Sequence, residues 1–156
     1  MPSIEKPIIQ LHPDVSYRDL VALLNENFRR LASNINYTQT KGTKYSYTGA
    51  ALPATIVSVT ITTNGSPVQI VCSGDANPLS AGGWGVINLY RDTTAIGQKV
   101  QFESSAANEN NPYCLSVIDA PVAGTYTYSL KITNNSGGNV DFGESEGPVI
   151  YAIELK

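Results

Sequence analysis

The side chains that could do chemistry are few and scattered. The chain has one histidine, His12, in "LHPD" beside Asp14. Any Ser–His or Cys–His nucleophile pair would have to recruit it. It sits on a proline-marked arm, a poor place for a preorganised base, so it reads as a contact residue and no catalytic residue is assigned. Cys72 and Cys114 both fall in stretches that read as strands, and their spacing matches no C-x-x-C redox or zinc pattern. The expectation is two buried, reduced thiols packing as small apolar groups, with a disulfide between neighbouring strands left open. "DFGESEG" gathers Asp141, Glu144 and Glu146 in a glycine-containing loop. Oxygen ligands at such spacing suit Ca²⁺, but the run lacks the alternate ligands of an EF-hand loop. It reads as a solvated acidic loop, and no metal or cofactor is assigned. "SGDANP", with Asp75 and Asn77, reads as an Asx-type turn. A retaining glycosidase needs two carboxyl groups about 5 Å apart, and few acids fall in the predicted core strands.

Nine tyrosines and one tryptophan offer a second kind of chemistry. Tyr45, Tyr47, Tyr126, Tyr128 and Trp84 could form a sugar- or protein-binding face, since aromatic rings give large contact area and keep a polar handle. The competing reading is that strand tyrosines occupy half-buried pleated positions. In "GTYTYSL", Tyr126 and Tyr128 share a face with Leu130, which points to core or a subunit contact. "SAGGWG" lacks the strand-to-helix layout of a phosphate-binding loop.

Composition narrows the field. Only 15% of the 156 residues are charged and the net charge is −3, which disfavours a nucleic-acid binder, since that needs a concentrated basic face. The one adjacent basic pair, Arg29–Arg30, reads as a solvated face or a contact to an acidic partner. "MPSIEKPIIQ" has no apolar h-region, so the sequence predicts no signal peptide and synthesis in the cytoplasm. No apolar run approaches the roughly 20 residues of a membrane span.

Four segments would position these residues. Residues 1–16 read as an extended arm: Pro2, Pro7 and Pro13 restrict the backbone, while Ile4, Ile8, Ile9 and Leu11 have nothing local to pack on. Residues 17–36 read as an amphipathic helix with Ser16 or Asp14 as N-cap. Within it Tyr17, Val21, Leu24, Phe28, Leu31 and Ile35 recur at steps of 4, 3, 4, 3 and 4, an a/d seam widened by Leu20 and Leu23. Each seam residue, if buried, is worth roughly 1.5–3 kcal/mol, so the stripe needs a partner: another subunit or the chain's own β-domain. Residues 37–54 are polar, with Gly42, Gly49 and Pro53, and read as a linker containing at most a short edge strand near Tyr45–Thr48. Residues 55–156 alternate with period two. "TIVSVTIT", "PVQIVCS", "WGVINLYR", "AIGQKVQFE", "YCLSVID", "GTYTYSLKIT", "GNVDF" and "PVIYAIEL" are the predicted strands. Val68, Ile70 and Cys72 share one face, as do Val149, Tyr151, Ile153 and Leu155. About eight short strands divided by turn residues predict an antiparallel β-sandwich or jelly roll.

With these elements in place, the chain resembles small virion proteins of tailed bacteriophages. "DLVALLNENFRRLAS" is similar to the short N-terminal helix of phage fibre and decoration proteins. "INLYRDTTAIG", "VIDAPVAGTYTYSLKI" and "VIYAIELK" resemble strands of a phage knob domain with a TNF/C1q-like jelly roll. The resemblance implies a non-enzymatic structural protein on the phage particle, most plausibly a homotrimeric head decoration or cement protein. Its partners would be itself and the major capsid protein or another virion protein, with no nucleic acid or membrane. The alternative is a fibre or tail-tip module that binds a receptor or glycan. The expected assembly interface is Ile8, Ile9, Leu11, Tyr17, Val21, Leu24, Phe28, Leu31 and Ile35.

Overall fold

A computed structural model describes residues 21–26, 35–136 and 138–155. The chain divides into two units, Met1–Asn34 and Ile35–Lys156. In the first, residues 21–26 are helical, within the predicted helix. Ile8, Ile9, Leu11, Tyr17, Phe28 and Leu31 lie outside the described residues, as do His12, the rest of the arm and Arg29–Arg30.

The second unit is all β. Its strands are β1 (Tyr37–Lys41), β2 (Tyr45–Tyr47), β3 (Ala54–Thr63), β4 (Val68–Pro78), β5 (Trp84–Arg91), β6 (Thr94–Glu103), β7 (Asn111–Asp119), β8 (Gly124–Asn135), β9 (Val140–Phe142) and β10 (Val149–Glu154). One sheet runs β3-β8-β5-β6. In the other, β1, β10, β4 and β7 lie side by side, and all pairing is antiparallel. The pairs β1–β10, β3–β8, β4–β7 and β5–β6 are the four ribbons of an eight-stranded jelly roll. The far end of β4 pairs with β9, which carries β2, so a short two-strand extension makes this second sheet six-stranded.

The core lies between the sheets. Ile70 and Cys72 of β4, Ile87 and Leu89 of β5, Tyr128, Leu130 and Ile132 of β8, and Ile150 and Ala152 of β10 are buried there. Period two accounts for these faces except where a bulge inserts a residue. In β3 the register shifts between Thr55 and Val57, so the neighbours Ile56 and Val57 are both buried. The extension closes one end with an aromatic cluster: Phe142 meets Phe102 edge-on at 5.9 Å, Tyr113 at 6.4 Å and Tyr45 at 6.3 Å. A side chain at Gly85 would collide with the Phe102 ring, which is why this β5 position is bare.

Three expectations change. Residues 37–54 are not simply a linker, because β1 and β2 are strands of the six-stranded sheet. Both are short and polar, and their partners β10 and β9 lie about a hundred residues away in sequence. The helix does not extend through residue 36. The Asn36 carbonyl accepts the Glu154 N–H at 2.8 Å, so this backbone has entered the sheet ladder. "SGDANP" is no turn either, since β4 continues through it to Pro78.

Candidate functional site

The start of the β-unit is held by a buried carboxylate. Glu154 points inward from β10. Its Oε1 accepts the Thr63 hydroxyl at 2.6 Å and the Asn64 N–H at 2.7 Å, and its Oε2 accepts the Asn36 side-chain amide at 2.9 Å. The Asn36 amide also donates to the Thr62 carbonyl at 2.6 Å. These bonds fix Asn36, the residue before β1, to β10 and to the end of β3 and the turn that follows it. The seam positions that are described, Val21 and Leu24 on the helical turn and Ile35 beside Asn36, are all exposed in the single chain.

The acidic loop is neutralised from within the chain. The Lys44 ammonium lies 2.8 Å from Asp141 and pairs with Glu144 as well, and Lys41 pairs with Glu146. Partial burial pushes the Asp141 carboxyl up, but hydrogen bonds from Lys44 and Ser46 outweigh it, and the group is held below the usual carboxylate range. Lys44 is raised by its hydrogen bonds to Asp141 and Glu144. Asp75 accepts the Glu144 N–H at 3.1 Å. A lysine therefore occupies the centre that a cation would need, and among the described residues no three carboxylate, thiol or imidazole groups converge. Beside the loop is a shallow groove of 340 Å³, where Asp75, Asn110, Ser145 and Glu146 stand beside Pro112 and Val149, with no aromatic ring in its lining.

The thiols separate. Cys72 is buried and its thiol is pushed up to about 12, chiefly by desolvation. Cys114 is exposed, not buried as expected. It pairs with Ser73, whereas Cys72 pairs with Leu115, so the two side chains leave opposite faces of the sheet and form no disulfide. Cys114 lies on β7, an edge strand, which leaves its outward side uncovered.

The tyrosines do not form one platform. Tyr45 and Tyr47 stand on β2 and Tyr126 and Tyr128 on β8, in different sheets. Tyr47 and Tyr128 are buried, and Tyr45 and Tyr126 pack against the core from partly buried positions. Tyr128 serves a polar pin between the sheets. Its hydroxyl donates to Asp119 Oδ2 at 2.8 Å, and Arg91 donates to both Asp119 oxygens at 2.8 and 3.1 Å. Burial, with the hydrogen bond to Asp119 second, keeps the Tyr128 hydroxyl protonated well above its ordinary range. Nothing in the sequence marked Arg91 or Asp119, because they come together from β5 and β7, strands of different sheets.

The outer faces of the two sheets differ. On β3 and β8, Thr60 meets Thr127 and Thr62 meets Thr125 through hydroxyls 3.0 and 2.9 Å apart. Ser58 faces Ser129, and the Lys131 ammonium sits 4.7 Å over the Tyr90 ring. On the other sheet, Tyr37, Ile153, Gln69 and Ile118 form one outward row across four strands, and Gln39, Tyr151, Val71 and Ser116 the next.

No family model matches the chain, and no curated protein does. Among solved structures, the sugar-binding EclA C-terminal domain is similar over 71% of this chain and 79% of its own, at 14% identity and TM-score 0.44. A structure of infectious bursal disease virus, Gx strain, is similar over 77% of this chain and 36% of its own, at 13% identity and TM-score 0.47. The carbohydrate-binding module CBM36, in complex with calcium and xylotriose, is similar over 73% of this chain and 98% of its own, at 16% identity and TM-score 0.43. These likenesses carry no functional weight; the jelly roll itself is established by the strand pairing. Among the described residues no helix is long and apolar enough to cross a membrane.

Proposed function

We propose that this chain is a non-enzymatic structural protein of a phage particle, a homotrimeric decoration or cement protein that binds the capsid or another virion protein. In this reading residues 1–36 are the association segment and the jelly roll is the outward body. The observation that carries it is the exposed apolar helical turn, Val21, Leu23 and Leu24, open to solvent in the single chain; Ile35, at the start of the β-unit, is exposed as well. The stripe is too apolar to stay in water, and a second protein surface would cover it. The polar clusters of the β-unit supply no rival chemistry. The loop acids Asp141, Glu144 and Glu146 are paired with lysines, and Asp119 and Glu154 are hydrogen-bonded within the fold. A protein that binds only the assembled shell stabilises that shell by mass action, and three copies acting together add avidity.

The test is Leu24→Asp with Phe28→Asp in the full chain. The unaltered chain is expected at three times 16.7 kDa by light scattering. The variant is expected as a monomer that no longer occupies particles but keeps the β spectrum and unfolding transition of the jelly roll. A trimeric variant that still decorates particles would overturn the reading.

A further inference from the structure

The β3–β4 turn holds the one Asn–Gly pair in the sequence, Asn64–Gly65. An asparagine can be attacked by the backbone nitrogen of the next residue, which closes a five-membered imide on its carboxamide carbon. Glycine is the least hindered residue to supply that nitrogen, because it has no Cβ. Gly65 is required here by the turn: its φ is +97°, and a Cβ would come within 3.2 Å of the Ala123 nitrogen. Asn64 and Gly65 are both exposed, so water reaches the carboxamide. What limits this reaction is the amide proton, since a backbone N–H is no nucleophile until a base takes it. The fold places a base on it. The Gly65 N–H donates to Thr63 Oγ1 at 3.1 Å, and the Thr63 hydroxyl donates to Glu154 Oε1 at 2.6 Å. Thr63 and Glu154 are both buried, so solvent does not displace the relay. The same Glu154 oxygen accepts the Asn64 N–H at 2.7 Å, which pins the backbone on the other side of the reacting residue.

We infer that Asn64–Gly65 is a self-modification site, in which Glu154, acting through the Thr63 hydroxyl, is the base for succinimide formation. The site is independent of the association proposed above. The steps balance without any co-reactant but water. The Gly65 amide proton passes to Thr63 Oγ1 as the Thr63 hydroxyl proton passes to Glu154 Oε1. The Gly65 nitrogen then forms a bond to the Asn64 carboxamide carbon. The bond from that carbon to the amide nitrogen breaks, the leaving nitrogen takes a proton from water, and ammonia departs. Glu154 returns its proton to solvent. Water next opens the imide at either carbonyl, restoring the Gly65 N–H or leaving the chain linked through the side chain. The products are an aspartyl or an isoaspartyl residue at position 64. Each places a new carboxylate in the turn that Glu154 holds, so the modification acts on the anchor of Asn36.

The test ages the full chain at neutral pH and follows position 64 by peptide mapping that separates aspartyl from isoaspartyl products. Conversion should be faster in the folded chain than in the same chain held unfolded in guanidinium chloride, and isoaspartyl product should form, as imide opening requires. Thr63→Val removes the relay hydroxyl and should slow conversion of the folded chain by more than about ten-fold, since a placed base contributes at least that much. Thr63→Ser keeps the hydroxyl and should restore the rate. Glu154→Gln keeps an acceptor oxygen but cannot take the proton, and should slow conversion as Thr63→Val does. Circular dichroism establishes that each variant is folded before its rate is read. A folded wild type that converts no faster than the unfolded chain overturns the inference, because the turn then shields the pair. A folded Thr63→Val or Glu154→Gln chain that converts at the wild-type rate overturns it too. Should both variants unfold, the comparison of folded with unfolded wild type decides alone. None of these readouts bears on the oligomeric state, so failure here leaves the association reading standing.

Discussion

The two sheets share one core and turn opposite chemistry outward. The β3-β8-β5-β6 face carries hydroxyls that satisfy one another, Thr60 with Thr127 and Thr62 with Thr125, and so remains compatible with water. The β1-β10-β4-β7 face carries Ile118 and Ile153, which have no polar group to satisfy, beside Tyr151 and Tyr37, whose hydroxyl donates to Gln39 on the same face. β-branched residues suit a strand on either face, so backbone preference does not separate Thr62 from Ile153. The difference is in what each face presents to its surroundings: paired hydroxyls on one sheet and mostly apolar rows on the other.

The comparison can be broken first from inside. Leu130 is fully buried between the sheets, and Leu130→Ala should destabilise the fold by about 2–5 kcal/mol in denaturant unfolding, whichever face is altered elsewhere. Next comes the buried carboxylate at the start of the β-unit: Glu154→Ala leaves Thr63, Asn64 and Asn36 without their acceptor and should remove about 2–3 kcal/mol. It should also speed amide exchange in β1, since Asn36 is the residue it anchors. Asp119→Ala, which releases Arg91 and Tyr128, is expected to lower stability by about 1–3 kcal/mol. Its Arg91 side chain is partly exposed, so the loss should be less than for a dry ion pair. Thr60→Val with Thr62→Val sharpens the contrast most directly. Exposed positions contribute little, within about 0.5 kcal/mol each, so unfolding should barely change. Solubility should fall, however, because the β3-β8 face would then resemble the β1-β10-β4-β7 face. Were the apolar character of a face irrelevant to association, concentration-dependent scattering would not rise in this variant.

The smallest effect concerns pH. Asp141 is depressed in the folded chain, so its contribution is present above the ordinary carboxylate value of 3.8 and is lost as pH falls through the folded value. Lys44 is raised, so its share is present below 10.5 and is lost as pH rises through the folded value. Lys44→Met should therefore flatten the acid limb of the stability–pH profile. An unaltered acid limb would mean that Lys44 does not govern the Asp141 titration.

Much of the fold was legible because a strand's alternation is a local property. The eight stretches read as strands correspond to β3 through β10, and the inward set Val68, Ile70 and Cys72 is buried as the period requires. Alternation does not say which set faces in. Val149, Tyr151, Ile153 and Leu155 share a face as read, but it is the outer one. Ile150 and Ala152 are the buried pair, and they lie opposite Cys72 and Ile70 of β4. Of the expected interface, the sequence supplied the apolar spacing at Val21, Leu24 and Ile35. The exposed rows at Tyr37 and Ile118 depend on strand order, which no local window contains.

The sequence by itself determined the class of fold, the positions of most strands and the shortage of catalytic groups, all consequences of residue type and short-range period. The tertiary structure alone decided that β1 and β2 are strands, that Lys44 neutralises the acidic loop, that Cys114 is open while Cys72 is shut, and that Glu154 anchors Asn36. Each of these joins residues far apart in the chain, 118 positions in the last case. Such contacts form only when many weak local preferences close together into one register, so no single stretch of residues carries the information that specifies them.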